Sequence, residues 1–207
     1  MVDIVDVRGA KSSDKPKIWR LSECVKKKLK KNGNGHYLRQ FIRGVRGDIW
    51  DFELGNTSVV TVNGEIVTVS FARMDCEDTQ RYEYLLKVPP GSLGEIGTFG
   101  DPKYRRRGFG WLASASSVNV LIENEKMFAG YTVAEDNEGG IGLGDSLARD
   151  SDYPIIGGGR IEVVQNVFEK GQEVEQKLSR LLHAYRLPLE IIPNDELLEL
   201  HAERFMP

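Results

Sequence analysis

The chain has 207 residues, 40% hydrophobic and 29% charged with a net charge of −3, and is read as one globular domain with an appendage, long enough to bury a core without staples. Two distant cysteines, Cys24 and Cys76, and three scattered histidines argue against a disulfide framework, a metal site or histidine-based catalysis, and they fit a reducing compartment. No apolar run reaches about 18 residues and the charged first twenty residues lack a signal-peptide pattern, so a cytoplasmic location with no membrane partner is expected.

Val2, Ile4, Val5 and Val7 predict a first strand ending at Gly9. From Ile18, the spacing of Leu21, Val25 and Leu29 predicts a helix that stops at Asn32-Gly33-Asn34-Gly35. A second helix is expected over Leu38, Phe41, Ile42 and Val45. Lys15 to Arg46 holds seven lysines and four arginines against Glu23 alone, a net +10 in a chain of −3. Solvated lysines on an amphipathic helix explain this, and nucleic acid or an acidic protein bound through Lys26–Lys31 explains it as well.

Ser58–Val62 and Glu65–Arg73 are β-branched runs joined by Asn63-Gly64, a hairpin signal. Tyr82–Val88 is read as a further strand before Pro89-Pro90-Gly91. Gly94–Gly100 then reads as a strand and passes through Asp101-Pro102 and Arg105, Arg106 and Arg107 to Gly108-Phe109-Gly110, followed by a helix from Trp111. A strand that enters a helix through glycines gathers backbone N–H groups and the positive helix end at one point, which suits a phosphate. The alternative is that Gly108 and Gly110 only end a turn. The phosphate-loop pattern GxxxxGK[ST] is absent, and Gly140, Gly142 and Gly144 do not make a dinucleotide fingerprint.

Downstream, Met127–Glu135 reads as a strand and Glu138–Arg149, after Asn137, as a small-residue helix. Ile155–Val164 supplies closing strands, with Gly157-Gly158-Gly159 as a bulge or turn. Val174, Leu178, Leu181, Leu182 and Tyr185 fall on one helical face, and Asn194 is expected to cap a last helix carrying Leu197, Leu198, His201 and Phe205.

Arg105-x-x-Gly108-x-Gly110, led in by Gly100-Asp101-Pro102-Lys103-Tyr104 and followed by strand, asparagine and helix, resembles the acyl-CoA pyrophosphate loop of the GNAT acyltransferase superfamily. The resemblance covers residues 58 to 149. It implies an α/β (α+β) fold with a mixed, mostly antiparallel sheet flanked by helices, residues 1–165 forming the acyltransferase domain and 166–207 a helical extension. It also implies transfer of an acetyl group from acetyl-CoA to the primary amine of a small molecule or protein, without a metal. Phe99 and Gly100 would then hold the pantetheine arm, Arg105, Arg106, Arg107, Gly108, Phe109 and Gly110 the pyrophosphate, and Asn137 the pantetheine from the second strand.

Glu95, ten residues before Arg105, matches the family's catalytic base, although a surface glutamate at a strand end would look the same. Gly144 stands where the family has a tyrosine that protonates the leaving thiolate, so water, Tyr131, Ser146 or Tyr153 must serve. That loss, the long tail and the basic segment leave a second expectation: a catalytically silent GNAT-shaped protein in a larger or nucleic-acid-associated assembly. The C-terminal helices would be the contact for such an assembly or for a homo-oligomer.

Overall fold

The structure, a computed structural model, describes residues 3–31, 56–134, 137–150, 155–169 and 172–206. In chain order these form β1 (Val5–Gly9), α1 (Lys15–Lys31), β2 (Thr57–Val62), β3 (Glu65–Met74), α2 (Glu77–Leu86) and β4 (Leu93–Gly100). There follow α3 (Phe109–Glu123), β5 (Phe128–Ala134), α4 (Glu138–Asp150), β6 (Ile155–Glu169), β7 (Gln172–Arg186) and α5 (Asn194–Phe205). The expected helix over Leu38–Val45 lies outside the described residues.

The strands make one seven-stranded sheet in the order β1-β2-β3-β4-β5-β7-β6. Among the described residues only the β4–β5 pair is parallel. The β2–β3 hairpin turns on Asn63 (φ 52°) and Gly64 (φ 80°). Two successive positive φ values give the turn whose twist matches that of the flanking strands. A register shift lies between Ile155 and Gly157, just before the glycine run, whereas Gly157, Gly158 and Gly159, expected as a bulge or turn, pair in regular register with Ala184, His183 and Leu182.

Alternation along the strands sends side chains to two cores. Val59, Ile66, Val69 and Phe99 pack under Ile18, Leu21 and Val25 of α1. Leu93, Leu182 and Ala184 pack under Tyr82 of α2 on the same face. Val60, Val62, Ala72, Ile96, Ala129 and Tyr185 point the other way, onto Leu112, Leu121, Leu147 and Leu197 of α3, α4 and α5. Burying a leucine such as Leu112, Leu121 or Leu197 contributes about 1.5–3 kcal/mol. Among the described residues no helix is long and apolar enough to cross a membrane.

Two segments correct the sequence reading. The residues expected as a strand at Tyr82–Val88 belong mostly to helix α2. Thr79 closes its start, accepting from the Cys76 N–H at 3.0 Å and donating to the Cys76 carbonyl at 2.8 Å. Glu77 and Asp78 then sit at the positive end of the helix. The run Val174–Tyr185, expected as a helix, is strand β7, which pairs with both β5 and β6. Leu182, Ala184 and Tyr185 are all buried. A strand covered on both faces loses the alternation that reveals it, and Leu181, Leu182 and Tyr185 fit a helical face equally well.

The tail closes on its own domain. Asn119 of α3 donates to the Ile192 carbonyl at 2.6 Å and accepts from the Ile192 N–H at 3.1 Å. Leu197 and His201 of α5 are fully buried. Pro193, not Asn194, is the N-cap of α5. The Asn194 side chain instead accepts from Ser116 at 3.4 Å.

Candidate active site

The site begins where the sheet comes apart. β4 and β5 pair at only three positions, Leu93 with Phe128, Gly94 with Ala129 and Glu95 with Gly130. Beyond them β4 stays bound to β3 as far as Gly100, and β5 to β7 as far as Ala134. Among the described residues, the facing backbone edges of Ile96–Gly100 and Tyr131–Ala134 therefore have no sheet partner. Such an edge accepts an extended ligand as an added strand. Phe99 and Gly100 lie on this edge, and Glu95 sits at the apex.

The loop after β4 aims at the same end. Asp101 accepts from the Lys103 N–H at 2.9 Å and closes a short turn over Pro102–Tyr104. Arg106 (φ 63°) and Gly108 (φ 74°) are both left-handed, and Gly108 caps α3. The first bond of α3 runs from the Leu112 N–H to the Gly108 carbonyl at 3.0 Å, so the Phe109 and Gly110 amides have no acceptor inside the helix. Glycine is required at 108 for its φ, and because a Cβ would overlap the ring of Phe205. At 110 a Cβ would meet only Leu143, at 3.6 Å.

The three arginines separate. Arg105 and Arg106 are exposed. Arg107 turns inward, donates to Asp3 at 2.7 Å and lies over the rings of Tyr104 (5.5 Å) and Phe109 (5.0 Å). This hydrogen bond holds the Asp3 carboxyl below its ordinary value. The Arg107 carbonyl pairs with Nε2 of His201 at 2.8 Å. Burial lowers the His201 pKa and favours the neutral ring, so Nε2–H is the donor. The Phe109 ring stacks on His201 at 5.2 Å. The loop is thus set from behind by α5.

Asn137 lies at the start of α4, exposed, with Oδ1 accepting from the Gly140 N–H at 3.1 Å. That is the geometry of a helix cap. Glu95 is buried at 8% exposure, and Arg73 donates to its Oε2 at 3.0 Å. It faces α1 and α2, the same side as Phe99.

Gly144 has a direct counterpart across the α4–β5 contact. A Cβ at 144 would coincide with the phenol end of Tyr131, so Tyr131 fills the space into which a side chain at 144 would project. Its ring stacks on His183 at 5.0 Å and 4°. Burial, with the charge of Asp145, raises its pKa and keeps the hydroxyl protonated at neutral pH. Residues 151–154 fall outside the description, Tyr153 among them. Sequence reasoning missed Arg73, Tyr82 and Arg180, which gather around Glu95. A cation alternating with Leu182 and Ala184 was the available signal for Arg180, and the helical reading of β7 hid it.

No protein-family model matches the chain. Curated relatives match over short stretches: polyribonucleotide nucleotidyltransferases of Cutibacterium acnes, 32% identical over 90 residues (42% of this chain, 12% of the relative), and of Thermobifida fusca, 36% over 78 (36% and 10%). The chain thus covers about a tenth of the length of these relatives. Solved structures match along most of the chain. A GNAT-family acetyltransferase of Streptococcus agalactiae superposes with a TM-score of 0.57 at 16% identity, covering 88% of this chain and 95% of that one. Diaminobutyrate acetyltransferase of Paenibacillus lautus, solved with its substrate L-2,4-diaminobutyric acid and coenzyme A, gives 0.55 at 14% (93% and 100%). Ribosomal-protein-S5-alanine acetyltransferase of Vibrio fischeri gives 0.56 at 13% (93% and 100%).

The close fit of Gly144 against Tyr131 is testable. Gly144→Ala will lower stability by about 1–3 kcal/mol, the cost of overpacking. In a Tyr131→Ala background it will be neutral or stabilising, since alanine exceeds glycine in helix propensity by about 1 kcal/mol. Chemical denaturation of the four proteins reads the coupling, and additive effects would contradict the contact. The fold of this chain is that of the GNAT acetyltransferases.

Proposed function

We propose that the protein is an N-acetyltransferase that carries the acetyl group of acetyl-CoA to a primary amine. The observation that carries this reading is the β4–β5 divergence, three pairs and then two open backbone edges, with a glycine-capped helix start at its mouth. The edge at Phe99 and Gly100 suits the amide-bearing pantetheine arm. The amides of Arg106–Gly110, with the exposed side chains of Arg105 and Arg106, suit the pyrophosphate. The Arg107 side chain is engaged with Asp3 and contributes through its backbone. Asn137 serves the pantetheine only as far as its capping bond to Gly140 allows.

The amine attacks the thioester carbon of acetyl-CoA, the C–S bond breaks, the acetyl group stays on the nitrogen and CoA departs as a thiolate. An ammonium has no lone pair, so the amine must first lose a proton. Glu95, oriented by Arg73 at the apex, accepts it. On the opposite face Tyr131, kept protonated, donates a hydrogen bond to the developing thiolate. A thiol near 8.5 leaves at neutral pH with modest help, whereas an amine near 10.4 is almost wholly protonated, so Glu95 matters more than Tyr131.

Glu95→Gln will leave acetyl-CoA affinity unchanged, lower kcat roughly a hundredfold at pH 7, and regain part of it as pH rises and the amine deprotonates unaided. Tyr131→Phe will lower kcat less, roughly tenfold. Initial rates on an amine panel between pH 6 and 10 measure both. Undiminished turnover in Glu95→Gln removes that residue from the mechanism.

A second reading, contact with nucleic acid, is favoured by an exposed basic stripe on α1, Lys17, Arg20, Lys27 and Lys28, and by the short matches to polyribonucleotide nucleotidyltransferases. Four neutralised phosphates imply a roughly fiftyfold loss of affinity for single-stranded RNA between about 50 and 200 mM salt. A gel shift absent at the lower salt, or insensitive to it, contradicts this reading.

A further inference from the structure

On the face of the sheet that carries Glu95 lies a buried cation that makes no ion pair among the described residues. Arg180 of β7 stands opposite Ala134 and shares its face with Leu182 and Ala184. The residue is 5% exposed, and its Nε and Nη2 are buried with no hydrogen-bond partner. The charged neighbour that acts on it is Glu95; the hydroxyl of Tyr82, which stands beside Thr132, is kept neutral by burial. Both carboxylates of the group, Glu95 and Asp78, reach Arg73, at 3.0 and 3.4 Å. Among the described residues Arg180 makes no ion pair.

A buried guanidinium whose Nε and Nη2 are unpaired is unfavourable, because those donors have lost their hydration and gained no acceptor. Its planar fork matches a carboxylate, which accepts two parallel hydrogen bonds. On the same face Glu95, whose partner Gly130 lies four positions from Ala134 along β5, sits where an amine must come to be deprotonated. A carboxylate acceptor at the apex and a bare fork next to it complement a molecule bearing both an ammonium and a carboxylate. We propose that Arg180 binds the carboxylate of the acceptor, and that the acceptor class is a free amino acid. This rests on the acetyltransfer reading above and narrows its substrate.

Matched pairs that differ in the carboxylate alone make the test: L-phenylalanine against phenethylamine, L-lysine against cadaverine, and L-ornithine against putrescine. For wild type, kcat/KM will be at least tenfold higher for the amino acid of a pair, chiefly through KM. In Arg180→Met that ratio will fall to about one. Arg180→Lys, which keeps charge without the fork, will be intermediate and serves if the methionine variant does not fold. Circular dichroism and acetyl-CoA affinity check both variants.

If no acceptor is turned over, saturation-transfer NMR of the same amino acids on the CoA-bound protein takes the place of turnover. Binding lost in Arg180→Met supports the proposal, and no binding of any amino acid to wild type overturns it. Turnover indifferent to the carboxylate, or loss of both members of a pair in equal measure, overturns the role of Arg180 and leaves acetyltransfer standing. Failure of acetyl-CoA to bind at all overturns both.

Discussion

The parallel contact between β4 and β5 is the constraint on which the site depends. It is three residues long and separates two ladders of seven register pairs each, β3 with β4 and β5 with β7. Each strand is firmly held on its outer edge and barely held on its inner one. The cleft is therefore built into the backbone and needs no side-chain rearrangement to exist. Everything proposed for the chemistry refers to this apex, with Glu95 and Arg180 on the α1–α2 face and Tyr131 on the α3–α4 face. Ligand and acceptor can thus approach from different directions and meet at one point.

The second dependence is on the tail. α5 seals the back of α3, and three contacts reach the loop that enters α3: Phe205 against Gly108, His201 on the Arg107 carbonyl, and the Phe109–His201 stack. A left-handed residue at Gly108 and another at Arg106 are conformations that need surrounding structure to hold them. The tail supplies part of it. The loop geometry is thus coupled to burial of Leu197 and His201 some ninety residues later in the chain.

Much of this was legible in sequence because it rested on local chemistry. Asn63-Gly64 sets its hairpin, Gly94–Gly100 its strand, and the glycines at 108 and 110 the start of α3, all through residues within a few positions of one another. What was hidden was tertiary. Leu182, Ala184 and Tyr185 bury both faces of β7 near its end, so the strand period was lost there and Val174, Leu178, Leu181, Leu182 and Tyr185 read as one helical face, a reading in which Arg180 carried no role. α2 was masked by aromatic residues with strand propensity, although Cys76–Thr79 and the acidic first turn marked its start. Gly144 read as a missing tyrosine, and only the approach of α4 to β5 places Tyr131 in that space. Arg107, read as one of three equivalent arginines, differs from its neighbours through Asp3, a residue 104 positions earlier in the chain.

The account turns on whether acetyl-CoA enters between β4 and β5, and amide hydrogen exchange with and without the ligand tests this most directly. The account predicts slowed exchange at those amides of Ile96–Gly100 that face β5 and at Arg106–Gly110, with β6 and the outer strands β1 and β2 unchanged. Saturating acetyl-CoA that protects neither segment, or that protects residues elsewhere alone, would contradict it.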